Sequence, residues 1–285
     1  MLLRTTPLFA ALVCACAGDS AREEGDVATD SHVEHGAAVV NTEPREITIA
    51  SFNVLYALAD DDPDKGVDPE TLARIEALDV DVLLLQETNA AWEKAIIAAV
   101  GDRYRACKFH QPKRYLPEGL GACSKAGIRE DLLIPSPVAW FPAQRLVAET
   151  PSGPIQLVNV HLRPAVANAD DWMRIHVETR ADRKKEVAAY VSELAPDTPT
   201  IIAGDFNERP EGDLFGLLRE HRFDSALPAA HVDKVTWRWA GTTPPLEHQL
   251  DHIAFETDAF ELVSADVRPG GHSDHDAVVV TLRRK

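Results

Sequence analysis

PTIIAGDFN, at residues 199–207, is the stretch whose reading decides the fold. Ile201, Ile202 and Ala203 form a short apolar run with Pro199 before it and Gly204 after it. That is the pattern of a buried strand ending in a turn. Asp205 and Asn207 emerge from its end with one residue between them. On extended backbone the two share a face, because side chains alternate along a strand. A carboxylate beside a carboxamide at a strand end holds a water, a metal or a phosphate oxygen. The same residue types also serve as turn formers that bond their own backbone, which is the commoner use. This stretch alone leaves both readings open; four other strand ends tip the balance.

ITIASFNVL (47–55) alternates like a strand and stops at Asn53, and DVDVLLLQE (79–87) is an apolar run that ends in Glu87. IQLVNVHL (155–162) carries His161 at its end, and a strand near 248–256 carries Asp251. After the Gly270-Gly271 turn, Ser273-Asp274-His275 leads into a last strand near 276–283. Further strands are expected near 138–149, 234–239 and 260–268. Helices are expected after the Asp68-Pro69 start signal, where Leu72, Ile75 and Leu78 recur at helical spacing, and over 89–100, where Ile96, Ile97 and Val100 share a stripe. Two more are expected over 171–194 and 211–221. Residues 101–135 are the least readable. They interleave Lys108, Lys113, Arg114, Lys125 and Arg129 with Tyr104, Phe109, His110 and Tyr115, a solvated loop by default and a phosphate-facing rim as the alternative. Strands outnumber helices in both halves, which favours one two-sheet α/β domain over a doubly wound parallel sheet.

The chain has 285 residues, enough for a full hydrophobic core, with 45% apolar and 26% charged residues. Its net charge is −17, and residues 18–46 carry eight acids against Arg22 and Arg45 alone. A surface that negative repels polyanions at long range and weighs against avid non-specific nucleic-acid binding. It does not exclude a nuclease, because a local groove with a divalent cation overrides the mean field. Residues 1–17, MLLRTTPLFAALVCACA, read as a secretory signal: one Arg, an apolar stretch too short to span a bilayer, then small residues. Ala15-Cys16-Ala17 fits ordinary signal cleavage, whereas Val13-Cys14-Ala15-Cys16 resembles a bacterial lipobox with Cys16 as the lipidated residue; the lipoprotein is favoured. Residues 18–45 read as a disordered acidic linker, and 46–285 as the folded domain. The expected location is the periplasm, the outer membrane through the lipid anchor, or the medium. Export places Cys107 and Cys123 in an oxidising compartment, and a bridge between them is predicted.

SFN (51–53), QE (86–87), NVHL (159–162), GDFN (204–207), LDHI (250–253) and SDH (273–275) follow, in order, the motifs of the endonuclease/exonuclease/phosphatase superfamily, which the chain resembles over about 47–285. The resemblance implies a four-layer α/β/β/α sandwich of two packed mixed sheets flanked by helices. It also implies hydrolysis of phosphoester bonds with a divalent cation, Mg²⁺ first, Mn²⁺ or Ca²⁺ as alternatives. A hard cation takes oxygen ligands and needs few carboxylates. Glu87 is the first candidate, with Asn53 and Asp274 assisting as the family's matching positions. Asp205 would accept or align the proton of an attacking water, and Asn207 would bond a phosphate oxygen. His275 needs an orienting carboxylate, for which Asp251 is the family's match. His161 would contact the phosphate or protonate the leaving oxygen, as in the deoxyribonuclease branch. The chain departs from the abasic-site enzymes at Leu55, where they place an acid, and lacks their Tyr motif. The family's G-x-x-x-L-S-R strand is degraded to Gly121–Lys125. Arg163 and Arg180 read as surface residues rather than phosphate ligands.

Three functions follow from these residues. The first is a metal-dependent hydrolase of small or lipid-head-group phosphoesters, acting as a monomer and touching membrane only through its anchor. The second is a secreted endonuclease, for which Trp237 and Trp239 could stack bases. The third is a non-catalytic surface module on the same scaffold, whose signature would be loss of a polar motif position; none is lost.

Overall fold

A computed structural model describes residues 46–60, 62, 64–165, 171–241 and 243–285. The expected signal segment and the acidic linker lie outside the described residues. In chain order the strands are β1 (Glu46–Asn53), β2 (Val82–Gln86), β3 (Ala106–His110), β4 (Leu120–Ser124), β5 (Ile128–Ile134), β6 (Ala143–Ala148) and β7 (Ile155–His161). They continue with β8 (Thr200–Asp205), β9 (Phe223–Ser225), β10 (Trp237–Trp239), β11 (Leu246–His248), β12 (Asp251–Glu256), β13 (Phe260–Arg268) and β14 (Ala277–Arg284). The helices are α1 (Pro69–Ala77), α2 (Ala90–Val100), α3 (Trp172–Glu178), α4 (Arg180–Ser192), α5 (Asp213–Glu220) and α6 (Ala226–Ala229).

Two six-stranded sheets stack face to face, in the orders β13-β14-β1-β2-β4-β3 and β5-β6-β7-β8-β12-β9, and β10-β11 forms a separate ribbon. Both sheets are mixed: β1 runs parallel to β2, and β7 parallel to β8, while the other pairs are antiparallel. The pleat explains why their strands are apolar on both faces. Ile49, Leu84, Leu157, Ile201 and Ile253 point between the sheets. Their neighbours Ala50, Leu83 and Leu85 pack under α1 and α2, and Val158 and Ile202 under α4 and α5. This is the α/β/β/α sandwich. Gly204, at φ +147°, allows the close parallel pairing of β7 and β8, since a Cβ there would lie 1.9 Å from the Val160 carbonyl oxygen.

Several expectations need adjustment. The illegible segment 101–135 holds three strands, β3, β4 and β5, and the predicted Cys107–Cys123 disulfide joins directly opposed residues of β3 and β4. The apolar stripe of α2 is Trp92, Ile96 and Val100; Ile97 is 46% exposed. The single helix expected over 171–194 is two, α3 and α4, meeting at Thr179. There the Thr179 hydroxyl donates to the Ile175 carbonyl and accepts from the buried Arg183 guanidinium, which also caps the His176 carbonyl. The Asp68 start signal operates as read: its carboxylate accepts from the Thr71 N–H at 2.7 Å.

Where the inter-sheet core meets the C-terminal ends of β1, β2, β7 and β8, its inward positions turn polar. Gln86 Nε2 donates to Asn159 Oδ1 (2.7 Å) and Ser51 Oγ (3.2 Å). Asn159 Nδ2 in turn donates to the Leu85 and Gly121 carbonyls and to Gln144 Oε1 (3.0, 3.1 and 3.2 Å). All four side chains are fully buried, so each bond is made away from water. Asn159→Ala removes the hub and leaves several partners unsatisfied. It should cost about 2–3 kcal/mol, read as a lowered midpoint in urea unfolding followed by circular dichroism. An unchanged midpoint would remove the seam from the account of how the sheets are held.

Candidate active site

Counting in steps of two from the inter-sheet core leads to the site. Ile49 and Ser51 are followed by Asn53, Leu157 and Asn159 by His161, and Ile201 and Ala203 by Asp205; Asp251 precedes Ile253. Four strands of two sheets therefore deliver their last inward side chains to one place. Glu87 arrives differently. It follows β2 in the left-handed region at φ +58°, a conformation costly for a side chain with a Cβ and frequent at functional sites.

Asn53 bridges the sheets, its Nδ2 donating to Glu87 Oε1 at 3.1 Å and to Asp205 Oδ2 at 3.2 Å. Its own Oδ1 accepts from the Leu55 N–H, and Glu87 Oε2 accepts from the Tyr56 N–H. His161 Nδ1 donates to the Pro117 carbonyl at 3.2 Å, which fixes the tautomer and turns Nε2 toward Asp205 Oδ2 (3.5 Å) and Glu87 Oε1 (3.9 Å). His275 Nδ1 donates to Asp251, with oxygens at 2.9 and 3.1 Å, and its Nε2 lies 3.7 Å from Asp205 Oδ2. Asp205 Oδ2 thus stands at the centre of an amide and two imidazoles. The structure brings together Asn53, Glu87, His161, Asp205, Asp251 and His275, with Asn207 and Asp274 at the same cavity.

The Asp205/Asn207 pair meets by a route other than the one expected. At Asn207 the backbone is no longer extended (φ +48°), and its N–H donates to Asp205 Oδ1 at 2.8 Å. The turn chemistry and the functional placement are one arrangement: the turn points Asn207 into the cavity while its Nδ2 holds the Leu162 carbonyl. Arg163 and Arg180 pair with Asp182 and Glu208 and do not line the cavity.

That cavity, about 360 Å³, is lined by Glu87, His161, Asp205, Asn207, Asp274 and His275 on one side and by Trp172, Trp237 and Trp239 on another. Among the described residues no Lys or Arg lines it. Three carboxylates therefore face one space without a permanent cation. Burial raises the Glu87 carboxyl above its ordinary range against the bonds from Asn53 and Tyr56. Burial also pushes Asp205 up to about 7, opposed by the charge of His275 and reinforced by Asp251 and Glu87. Burial and the charge of His275 pull His161 down to about 3, so it is neutral. For His275 burial works against the charged form, but Asp251 and Asp205 outweigh it and raise the imidazole well above 6.5.

The residues fit a divalent cation. Asp274 Oδ1 is buried without a hydrogen-bond partner, and Glu87 faces the same cavity as a desolvated carboxylate. Oxygen donors with an unmet charge are what a hard cation takes. Ligand atoms of Asp205, Asp251 and His275 also lie within 4.8 Å of one another, a second place where a cation could sit. There, however, the Nδ1 of His275 and the carboxylate of Asp251 are already bonded to each other.

Sequence reasoning passed over Ser273, whose hydroxyl donates to the Asn53 carbonyl and accepts from the His275 N–H. It also passed over the Pro117 carbonyl and Trp172. Ser273 could have been found, since it opens the SDH motif; the other two had no local signal.

The sequence profile of the Endonuclease/Exonuclease/phosphatase family matches residues 50–275, and the chain belongs to that family of phosphoester hydrolases. No curated protein sequence matches significantly. Among solved structures, the chain is similar to an endonuclease/exonuclease/phosphatase from Beutenbergia cavernae (20% identity, 84% of this chain and 72% of that one, TM-score 0.63). It is similar to the human Nocturnin catalytic domain with bound sulfate (18%, 84% and 95%, TM-score 0.62). It is also similar to a truncated TDP2 from Caenorhabditis elegans (18%, 84% and 97%, TM-score 0.60). At these identities the likeness establishes the fold.

The Asp251 carboxylate is what holds a proton on His275 against burial. In metal-free protein the His275 ring should titrate above 6.5, and Asp251→Asn should move its midpoint down, followed by the imidazole resonances in NMR. Equal midpoints in the two proteins would remove Asp251 as the orienting charge.

Proposed function

We propose that this chain is an exported, divalent-metal-dependent phosphodiesterase or phosphatase, acting by in-line attack of water on a small or lipid-head-group phosphoester. The observation that carries this reading is the position of Asp205, within 3.7 Å of both His161 and His275 and bonded to Asn53, on a cavity that also holds Glu87 and Asp274. Glu87, Asn53 and Asp274 would hold Mg²⁺, with Mn²⁺ or Ca²⁺ as substitutes. Bound there, the cation supplies positive charge to a phosphoryl oxygen and the leaving oxygen.

The remaining steps belong to this chain's own side chains. Asp205, raised into the neutral range, accepts the proton of the attacking water or aligns it. His275 is held by Asp251 with Nε2 toward Asp205 and stabilises the charge developing between them. Asn207 bonds a phosphate oxygen, and His161 contacts the phosphate or the leaving oxygen through Nε2. The net charge of −17 and the expected lipid anchor favour a small or lipid substrate over a polyanion. Trp237 and Trp239 on the cavity wall support the endonuclease as the second reading.

The test is a panel assay of purified protein with Mg²⁺, Mn²⁺ or Ca²⁺ against bis(4-nitrophenyl) phosphate, phosphomonoesters, sphingomyelin and plasmid DNA. Hydrolysis should vanish with EDTA. Asp205→Asn and His275→Ala should each lower turnover by about 10²–10⁴-fold with the fold intact by circular dichroism. Unchanged turnover in both variants would overturn the assignment. Plasmid nicking without small-ester hydrolysis would select the endonuclease, and metal binding without turnover on any substrate the non-catalytic module. Export through a lipid anchor is tested separately: Cys16→Ala should move the protein from the membrane to the soluble fraction of the expressing cell. Equal partition of both forms would exclude the anchor.

A further inference from the structure

We propose that Trp237 is a positioning residue for the metal site, and that its indole N–H holds Asp274 in the one orientation that presents a free oxygen to the cation. The inference rests on the reading of Asp274 as a metal ligand. The Trp237 Nε1–H donates to Asp274 Oδ2 at 3.0 Å, while Oδ1 of the same carboxylate is buried without a hydrogen-bond partner, 4.0 Å from His275 Nε2. One oxygen is therefore spoken for and the other is left for the cation. Backbone pairing holds the two residues together. Trp237 and His275 form an antiparallel bridge, the Arg238 N–H donates to the Asp274 carbonyl, and the Asp276 N–H donates to the Thr236 carbonyl.

The donor is itself immobilised. The Trp237 ring stacks on the buried Trp172 (centroids 5.3 Å apart, planes 21°) and lies near-parallel to His248 at 6.3 Å. Without this tie Asp274 has reason to turn away. Its side chain is 35% exposed, so water competes for it. A donor behind a ligating carboxylate fixes its orientation before the cation arrives, and loss of such a donor typically weakens metal binding by about 10–100-fold.

The experiment is calorimetric titration of Mn²⁺ into the purified wild-type chain, Trp237→Phe, Trp239→Phe, Asp274→Asn and the Trp237→Phe/Asp274→Asn double variant. Trp237→Phe keeps an aromatic ring but removes the donor along with part of the ring; it should weaken Mn²⁺ binding by about 10–100-fold, while Trp239→Phe, which loses the same ring volume, leaves it unchanged. In the Asp274→Asn background Trp237→Phe should cost nothing further, because it acts through that carboxylate. Wild-type affinity in Trp237→Phe overturns the proposal, and so does an equal loss in Trp239→Phe, which would assign the effect to aromatic packing. Wild-type affinity in Asp274→Asn overturns instead the reading of Asp274 as ligand. A second readout uses the unaltered fold: in protein labelled with ¹⁵N at tryptophan, Mg²⁺ should shift the Trp237 indole N–H resonance more than that of Trp239. An unmoved Trp237 resonance under Mg²⁺ saturation overturns the proposal even if the Phe variant fails to fold.

Discussion

Everything at the site depends on two pleated sheets meeting face to face with their registers locked. A strand that slipped by one residue would send its polar tip to the outer face, under the helices, and bring an apolar side chain inward. Asn53, His161, Asp205 and Asp251 gather at one end of the sheets only because Ile49, Leu157, Ile201 and Ile253 share a core. The Gln86–Asn159 bond, 2.7 Å and fully buried, sits one layer below these polar groups and joins the sheets where an apolar core would let them slide. Its cost is the burial of four amide and hydroxyl groups. Its return is directional: hydrogen bonds between amides specify one alignment, whereas leucine on leucine tolerates several.

Above that layer the electrostatics run the opposite way. Glu87 is raised by burial and by Asp274, Asp205 by burial, Asp251 and Glu87, and His275 by Asp251 and Asp205. A metal-free cavity of this kind holds extra protons, and a divalent cation displaces them by supplying the charge that they supply. The neutral His161 fits the same scheme. With Nδ1–H given to Pro117, it faces the carboxylates as an acceptor and needs a proton or a ligand between them. The site is therefore built for its charged contents, and its internal hydrogen bonds, from Asn53, Tyr56 and Asn207, orient carboxylates without neutralising them.

The parts legible in sequence are those whose signal is local and periodic. A run such as Ile201-Ile202-Ala203 followed by Asp205 shows both the strand and its tip, and Asp68-Pro69 shows the helix start. Less legible was anything set by what packs on the other side. Between 101 and 135, β3 is half exposed and β5 carries Arg129, Glu130 and Asp131 in a row, so neither alternates cleanly, and only their partners make them strands. Ile97 had the right residue type on the wrong face of α2. Asn207 was placed on the correct side for a reason that does not hold, since the chain turns before it. Trp237 suggested a stacking surface, while its polar edge, which bonds Asp274, has no signature in a string of letters.

The break between α3 and α4 shows how far the constraint reaches. Glu208, the residue after Asn207, is 1% exposed and receives His176, Arg180 and the fully buried Arg183 on its carboxylate. Its carbonyl accepts from His252 Nε2, and His252 adjoins Asp251. One residue thus fastens the turn that carries Asp205 and Asn207 to the strand that carries the partner of His275. A buried ion pair is poor value as pure stabilisation, because desolvation offsets most of the attraction. Here it takes its meaning from position. Arg183 reaches Glu208 only because the helix is interrupted at Thr179, freeing the His176 carbonyl and the Thr179 hydroxyl for the guanidinium. The local cost of breaking a helix and burying charge is borne where it fixes the turn after β8 to the start of β12.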